Sequence, residues 1–140
     1  SALDATVAMD QPEAAPGLAK RQMSPAESRW SVERDLASKG SMLKVVKDAG
    51  RVRLEDEGVE YWRRAEERYS VDGDEPASAA GEACSTWGLA WEGVSVETRS
   101  RLLLRGDEEA FEVQADLDAY EGNRRVFARS WSKRIRRRDV

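Results

Sequence analysis

Between Val94 and Ala119 apolar and polar residues alternate on both sides of one short break, and that alternation restricts the chain to antiparallel sheet. Val94, Val96, Leu102 and Leu104 fall on one side of a first extended segment. Phe111, Val113, Leu117 and Ala119 fall on one side of the next, with Glu112, Gln114, Asp116 and Asp118 opposite. A period of two is the side-chain alternation of a strand, and one apolar side per strand describes a half-buried sheet. Joining the segments through Gly106-Asp107-Glu108-Glu109 sets Leu104 against Phe111, Leu102 against Val113 and Val96 against Ala119. The apolar sides then coincide, as a sheet with one buried face requires.

The same pattern extends in both directions. Gly122-Asn123 suits a tight hairpin turn; closing there sets Ala119 against Val126, Leu117 against Ala128 and, on the outer side, Asp116 against Arg129. A turn at Glu92-Gly93 sets Leu89 opposite Val96, while a turn at Gly88-Leu89-Ala90 competes with it. Upstream, Met42 to Val46 and Val52 to Leu54 read as strands flanking a turn at Asp48-Ala49-Gly50. Val59 to Val71 reads as a long exposed strand sharing Val59, Tyr61, Ala65, Tyr69 and Val71 on one side, although Trp62, Ala65 and Tyr69 also fit helical spacing. The predicted fold is all-β, an antiparallel meander curled or doubled into a β-sandwich over residues 28–140. Residues 1–27, with Pro12, Pro16 and Pro25 and little apolar surface, read as an Ala/Pro-rich linker or disordered arm.

Composition narrows the chemistry. The 140 residues, one ordinary domain in length, include no histidine and one cysteine. Without imidazole, Ser-His-Asp and Cys-His catalysis have no general base. Cys84 alone offers neither a zinc site nor an internal disulfide, and reads as a small structural residue. No catalytic residue, metal or cofactor is therefore expected. No apolar run approaches the length of a membrane span and no signal peptide is visible, so a cytoplasmic location without membrane contact is expected.

Several segments, taken in order, resemble a known family. Trp30-Ser31-Val32-Glu33-Arg34-Asp35-Leu36 is similar to a Trp-x-Val-x-x-Asp-Leu strand. It is followed by Asp48-Ala49-Gly50-Arg51-Val52-Arg53-Leu54 and Asp74-Glu75-Pro76-Ala77-Ser78-Ala79. Then come Phe111-Glu112-Val113, Ala119-Tyr120-Glu121-Gly122, Val126-Phe127-x-Arg129-x-Trp131 and Ile135-Arg136-Arg137. Together, over Trp30 to Arg138, they resemble the C-terminal β region of CocE/NonD-type, Xaa-Pro dipeptidyl-peptidase-like serine hydrolases. Arg136, where that family usually has Pro, and Glu75, where it usually has Asp, depart from the pattern. The family's catalytic residues lie in an α/β-hydrolase domain that nothing here matches, and no Gly-x-Ser-x-Gly elbow occurs. The resemblance implies a non-catalytic accessory β domain packing on such a catalytic domain. The alternative is a free-standing β-sandwich or barrel module that binds a small apolar ligand.

Three further clusters bear on partners. Asn123 to Val140 holds eight basic residues against Asp139, a net +7, which leaves −11 on the rest of a chain whose formal charge is −4. With Phe127 and Trp131 interleaved, this tail has the ingredients of single-strand nucleic-acid binding, but its arginines also stand to face the acidic strand before them, which is the preferred reading. Asp116 and Asp118 share an outward side about 6.5–7 Å apart, with no apolar pocket to tune either, and Asp72-Gly73-Asp74-Glu75 reads as a turn. Of the five tryptophans, Trp30, Trp87 and Trp91 suit a core. Trp62, Phe127 and Trp131 fall opposite the apolar stripe and are the candidate domain interface, to be met by a second sheet layer, a catalytic domain or a second copy of the chain.

Overall fold

The computed structural model describes residues 14–137. They form eight strands: β1 (Lys20–Gln22), β2 (Glu27–Arg34), β3 (Ser41–Leu54), β4 (Val59–Asp72), β5 (Glu75–Trp91), β6 (Val94–Gly106), β7 (Ala110–Glu121) and β8 (Arg124–Arg136). The strands make one antiparallel sheet ordered β1-β3-β4-β5-β6-β7-β8, with β2 also on β3. β1 takes the C-terminal half of β3 and β2 the N-terminal half, so the two act as one broken strand along a single edge. The expected all-β meander is what forms. Among the described residues the backbone of each strand lies beside only its hydrogen-bonded neighbours, and no second layer lies over either face.

Part of the expected arm is strand. Its first 13 residues lie outside the described residues, but Lys20–Gln22 pairs with Val52 to Leu54 and Glu27 opens β2. The apolar count that suggested an arm missed this, because an edge strand draws its ladder bonds from the backbone of β3 and needs little apolar surface.

Turn chemistry corrects three registers. Asp48-Ala49-Gly50 is a bulge inside one continuous β3: the strand keeps β4 as its partner on both sides of the irregularity between Asp48 and Arg51. Asp48 accepts a hydrogen bond from the Gly50 amide at 2.8 Å, and Gly50 sits at φ +66°. A Cβ there would stand 2.2 Å from the Ser24 carbonyl oxygen, so only glycine lets the broken edge strand approach. In the β6–β7 hairpin Asp107 accepts from the Glu109 and Ala110 amides at 2.8 and 2.6 Å. That clamp ends the loop at Ala110, pairs Leu104 with Val113, Leu102 with Ala115 and Val96 with Glu121, and moves the expected register by two residues. A shift of two leaves every side chain on its expected face.

The β7–β8 correction is larger. The turn at Gly122-Asn123 pairs Glu121 with Arg124, as read, but a bulge at Val126 pairs Ala119 with Phe127 and Ala115 with Trp131. One extra residue turns the rest of β8 over. Asp116 therefore faces Ser130, whose hydroxyl donates to it at 2.6 Å, and not Arg129. The turn between β5 and β6 is at Glu92-Gly93, with Leu89 opposite Val96. β4 is strand throughout, with the expected residues sharing a side.

Candidate functional site

Strand pairing carries one row of side chains to the next, which gives the sheet two unlike faces. On the polar face, carboxylates and cations from neighbouring rows interlock. Arg51 and Arg53 meet Glu60 at 2.6 and 3.2 Å, Arg64 meets Asp48 at 2.8 Å, and Arg68 and Lys44 meet Glu66 at 2.7 and 3.2 Å. Farther along, Arg101 meets Glu82 at 2.6 Å, Arg99 meets Glu97 at 2.7 Å and Arg134 meets Glu112 at 2.9 Å. The Arg51 hydrogen bond holds the Glu60 carboxyl below its ordinary value. Arg68, then Lys44, do the same for Glu66, and Arg64 with the Gly50 amide for Asp48. Each pair is partly exposed and screened by water, so the ladder fixes register more than it stabilises.

Trp62 lies on this polar face. Its ring covers Gly88, where a Cβ would stand 2.0 Å from it. Its indole N–H donates to Glu97 at 2.8 Å, and the Arg51 guanidinium stacks 4.3 Å from the ring centroid. Phe127 and Trp131 are on the other face, carried there by the bulge. The three residues expected to form one interface are thus split, with Phe127 and Trp131 together and Trp62 apart.

The other face carries most of the exposed apolar side chains and, among the described residues, is covered by no second layer. It presents Trp30 and Val32 of β2, Trp87, Leu89 and Trp91 of β5, and Leu102 and Leu104 of β6. Phe127, Trp131 and Ile135 of β8 complete it, and all of these side chains are substantially exposed. Trp30 and Trp87, expected in the core, are 64% and 52% accessible. The reason is architectural: a single sheet has no layer to bury them. Among the described residues the buried apolar side chains are Val45, Val46, Val52 and Ala110.

Two hollows indent this face. The larger, about 550 Å3, is lined by Trp87, Gly88, Leu89, Val96, Ala119 and Val126 among others. The second, about 340 Å3, lies over Gly81 and Ala83 between Tyr69, Leu102, Leu104 and Phe111.

The remaining candidates are partnered or structural. Arg124, Arg125 and Arg134 of the basic tail pair with Glu121, Asp118 and Asp107, which meets the acidic-strand reading in part: Arg129, expected against Asp116, lies opposite Leu117 instead. Asp116 and Asp118 are engaged by Ser130 and Arg125. Asp72-Gly73-Asp74-Glu75 joins β4 to β5, with Gly73 at φ +55°. Cys84 is an exposed free thiol within β5. Among the described residues no helix is long and apolar enough to cross a membrane. Comparison with known protein families, curated proteins and solved structures finds no match.

Proposed function

We propose that this chain is a non-catalytic β module whose apolar face docks on another structure. In the CocE/NonD-type hydrolases that the sequence resembles, that structure is the α/β-hydrolase catalytic domain. The observation that supports it is the imbalance of the two faces: one pairs most of its charges internally, the other leaves most of its aromatic and aliphatic side chains in water. Such surfaces mark sites of association, and this one is far larger than the four-residue buried core. The candidate interface accordingly moves from Trp62 to the face that holds Phe127 and Trp131.

The 550 Å3 hollow favours a second reading, in which the same face holds a small apolar ligand; its size and lining suit one. Replacing Phe127 and Trp131 by Ser distinguishes the two, because both lie outside that hollow. Docking predicts that the isolated chain binds a hydrophobic dye or self-associates, and that the double variant loses that behaviour at little cost in stability. A wild-type chain that stays monomeric and dye-free at high concentration overturns docking. Stoichiometric uptake of an apolar ligand, unaffected by the double variant, supports the second reading.

A further inference from the structure

The distribution of charge on the apolar face identifies what covers it. On β5 from Ala77 to Trp91, on β6 from Val94 to Leu104 and on β7 from Phe111 to Ala119, no residue facing this side is charged. The strip is three strands wide, about 10 Å between its outer backbones. Cations border it on both long sides, Arg63 on β4 and Arg129 and Lys133 on β8. Two of them lie over aromatic rings, Arg63 over Trp87 at 4.5 Å and Arg129 over Trp131 at 4.9 Å. Among the described residues none of the three meets a carboxylate, in contrast to the laddered cations of the opposite face. Glu67, the one carboxylate on the β4 border, stands opposite Ala83 and accepts a hydrogen bond from the Tyr69 hydroxyl at 2.9 Å. Glu121, at the end of the strip, is held by Arg124 at 2.9 Å.

We infer that the occupant is an amphipathic helix of the partner, apolar along the side it lays on β5–β7 and acidic along both flanks. This rests on the docking reading. A helix is about 10–12 Å across with its side chains, the width of the uncharged strip. The two hollows are about seven residues apart along β5, roughly 23 Å or four helical turns, so one helix of about 20 residues fills both. Its flanking carboxylates then reach Arg63 on one side and Arg129 and Lys133 on the other. A second copy of the chain fails this test, because it brings cations to both rims. A nucleic-acid strand supplies phosphates to the rims but leaves Leu102, Leu104 and Val113 without an apolar cover.

The test uses the full chain and two 20-residue helical peptides with one shared Leu/Ala face, flanked by Glu in one and by Lys in the other. Binding is read by tryptophan fluorescence and by anisotropy of labelled peptide. The Glu peptide should bind about tenfold tighter at low salt, equal to about 1.4 kcal/mol, which three exposed ion pairs supply. The advantage should shrink at high salt and reverse in Arg63→Glu/Arg129→Glu. If that variant does not fold, Arg63→Gln/Arg129→Gln should reduce the preference severalfold. Equal affinities, preference for the Lys peptide, no binding to the folded chain, or displacement of the Glu peptide by oligouridylate each overturns the inference. Loss of dye binding in Phe127→Ser/Trp131→Ser together with no charge preference overturns this inference alone. A wild-type chain that neither binds dye nor self-associates overturns docking itself.

Discussion

Gly88→Ala adds one methyl group to the polar face, and the geometry sets its cost. The new Cβ would stand 2.0 Å from the Trp62 ring, far inside contact distance, while the Gly88 backbone is ordinary strand that alanine adopts without strain. The ring must therefore leave, and two interactions leave with it. The indole hydrogen bond to the Glu97 carboxylate is of the charge-assisted kind, worth about 1.5–3 kcal/mol. The Arg51 stack is worth about 0.5–1 kcal/mol. Alanine recovers about 0.5–1 kcal/mol over glycine in a strand interior, and Glu97 keeps Arg99. The net loss is about 1–3 kcal/mol, read as a lower urea midpoint by circular dichroism with an unchanged slope. The decisive arm is a double-mutant cycle: in a Trp62→Ala background Gly88→Ala should be neutral or stabilising. An equal loss in both backgrounds would show that Trp62 does not lie over Gly88.

Three other outcomes follow from the same geometry. Gly50→Ala, with its positive φ and the Ser24 and Pro25 carbonyl oxygens 2.2 and 2.7 Å from the new Cβ, should cost more than 2 kcal/mol; hydrogen exchange should show amides of the β1–β2 edge losing protection first. Glu60, Glu66 and Asp48 have carboxyls lowered in the folded chain. Their stabilisation is therefore complete above the ordinary carboxylate range and is lost as pH falls through the lower folded values. Midpoints measured in urea should hold from pH 7 to about 5 and then decline, less steeply in Glu60→Gln. Asp116→Asn and Ser130→Ala should be non-additive in unfolding experiments while Asp116→Asn and Arg129→Ala add, and coupling to Arg129 would contradict the bulge.

Much of the fold was legible because alternation survives small errors of register. The β6–β7 pairing was read two residues out, yet Leu102, Leu104, Val113 and Leu117 kept their face, since parity alone decides it. The bulge at Val126 changed parity and so misplaced Phe127 and Trp131. Its signal was in the sequence as a conflict: the Gly122-Asn123 turn puts even-numbered residues of β8 on the apolar face, whereas Phe127, Trp131 and Ile135 are odd. One inserted residue reconciles the two. Trp62 carried no comparable signal, because its cover over Gly88 joins residues on different strands and appears only once β4 and β5 are in register. The exposure of Trp30 and Trp87 was equally hidden, as alternation reports that a face is apolar but not whether anything lies upon it.

Because the backbone of each strand lies beside only its sheet neighbours, with side chains such as Trp62 and Glu97 bridging strands two apart, the molecule approaches a one-dimensional array, like a repeat protein whose stability sums mostly local terms. Disruption at β2 or β8 costs one boundary and leaves the interior rows standing, so unfolding by fraying from either edge competes with all-or-none loss. A rod laid lengthwise across β5, β6 and β7 would change that class of behaviour. It would couple three rows that otherwise know only their neighbours, and its binding would register as gained cooperativity in the middle of the sheet while the edges continued to fray.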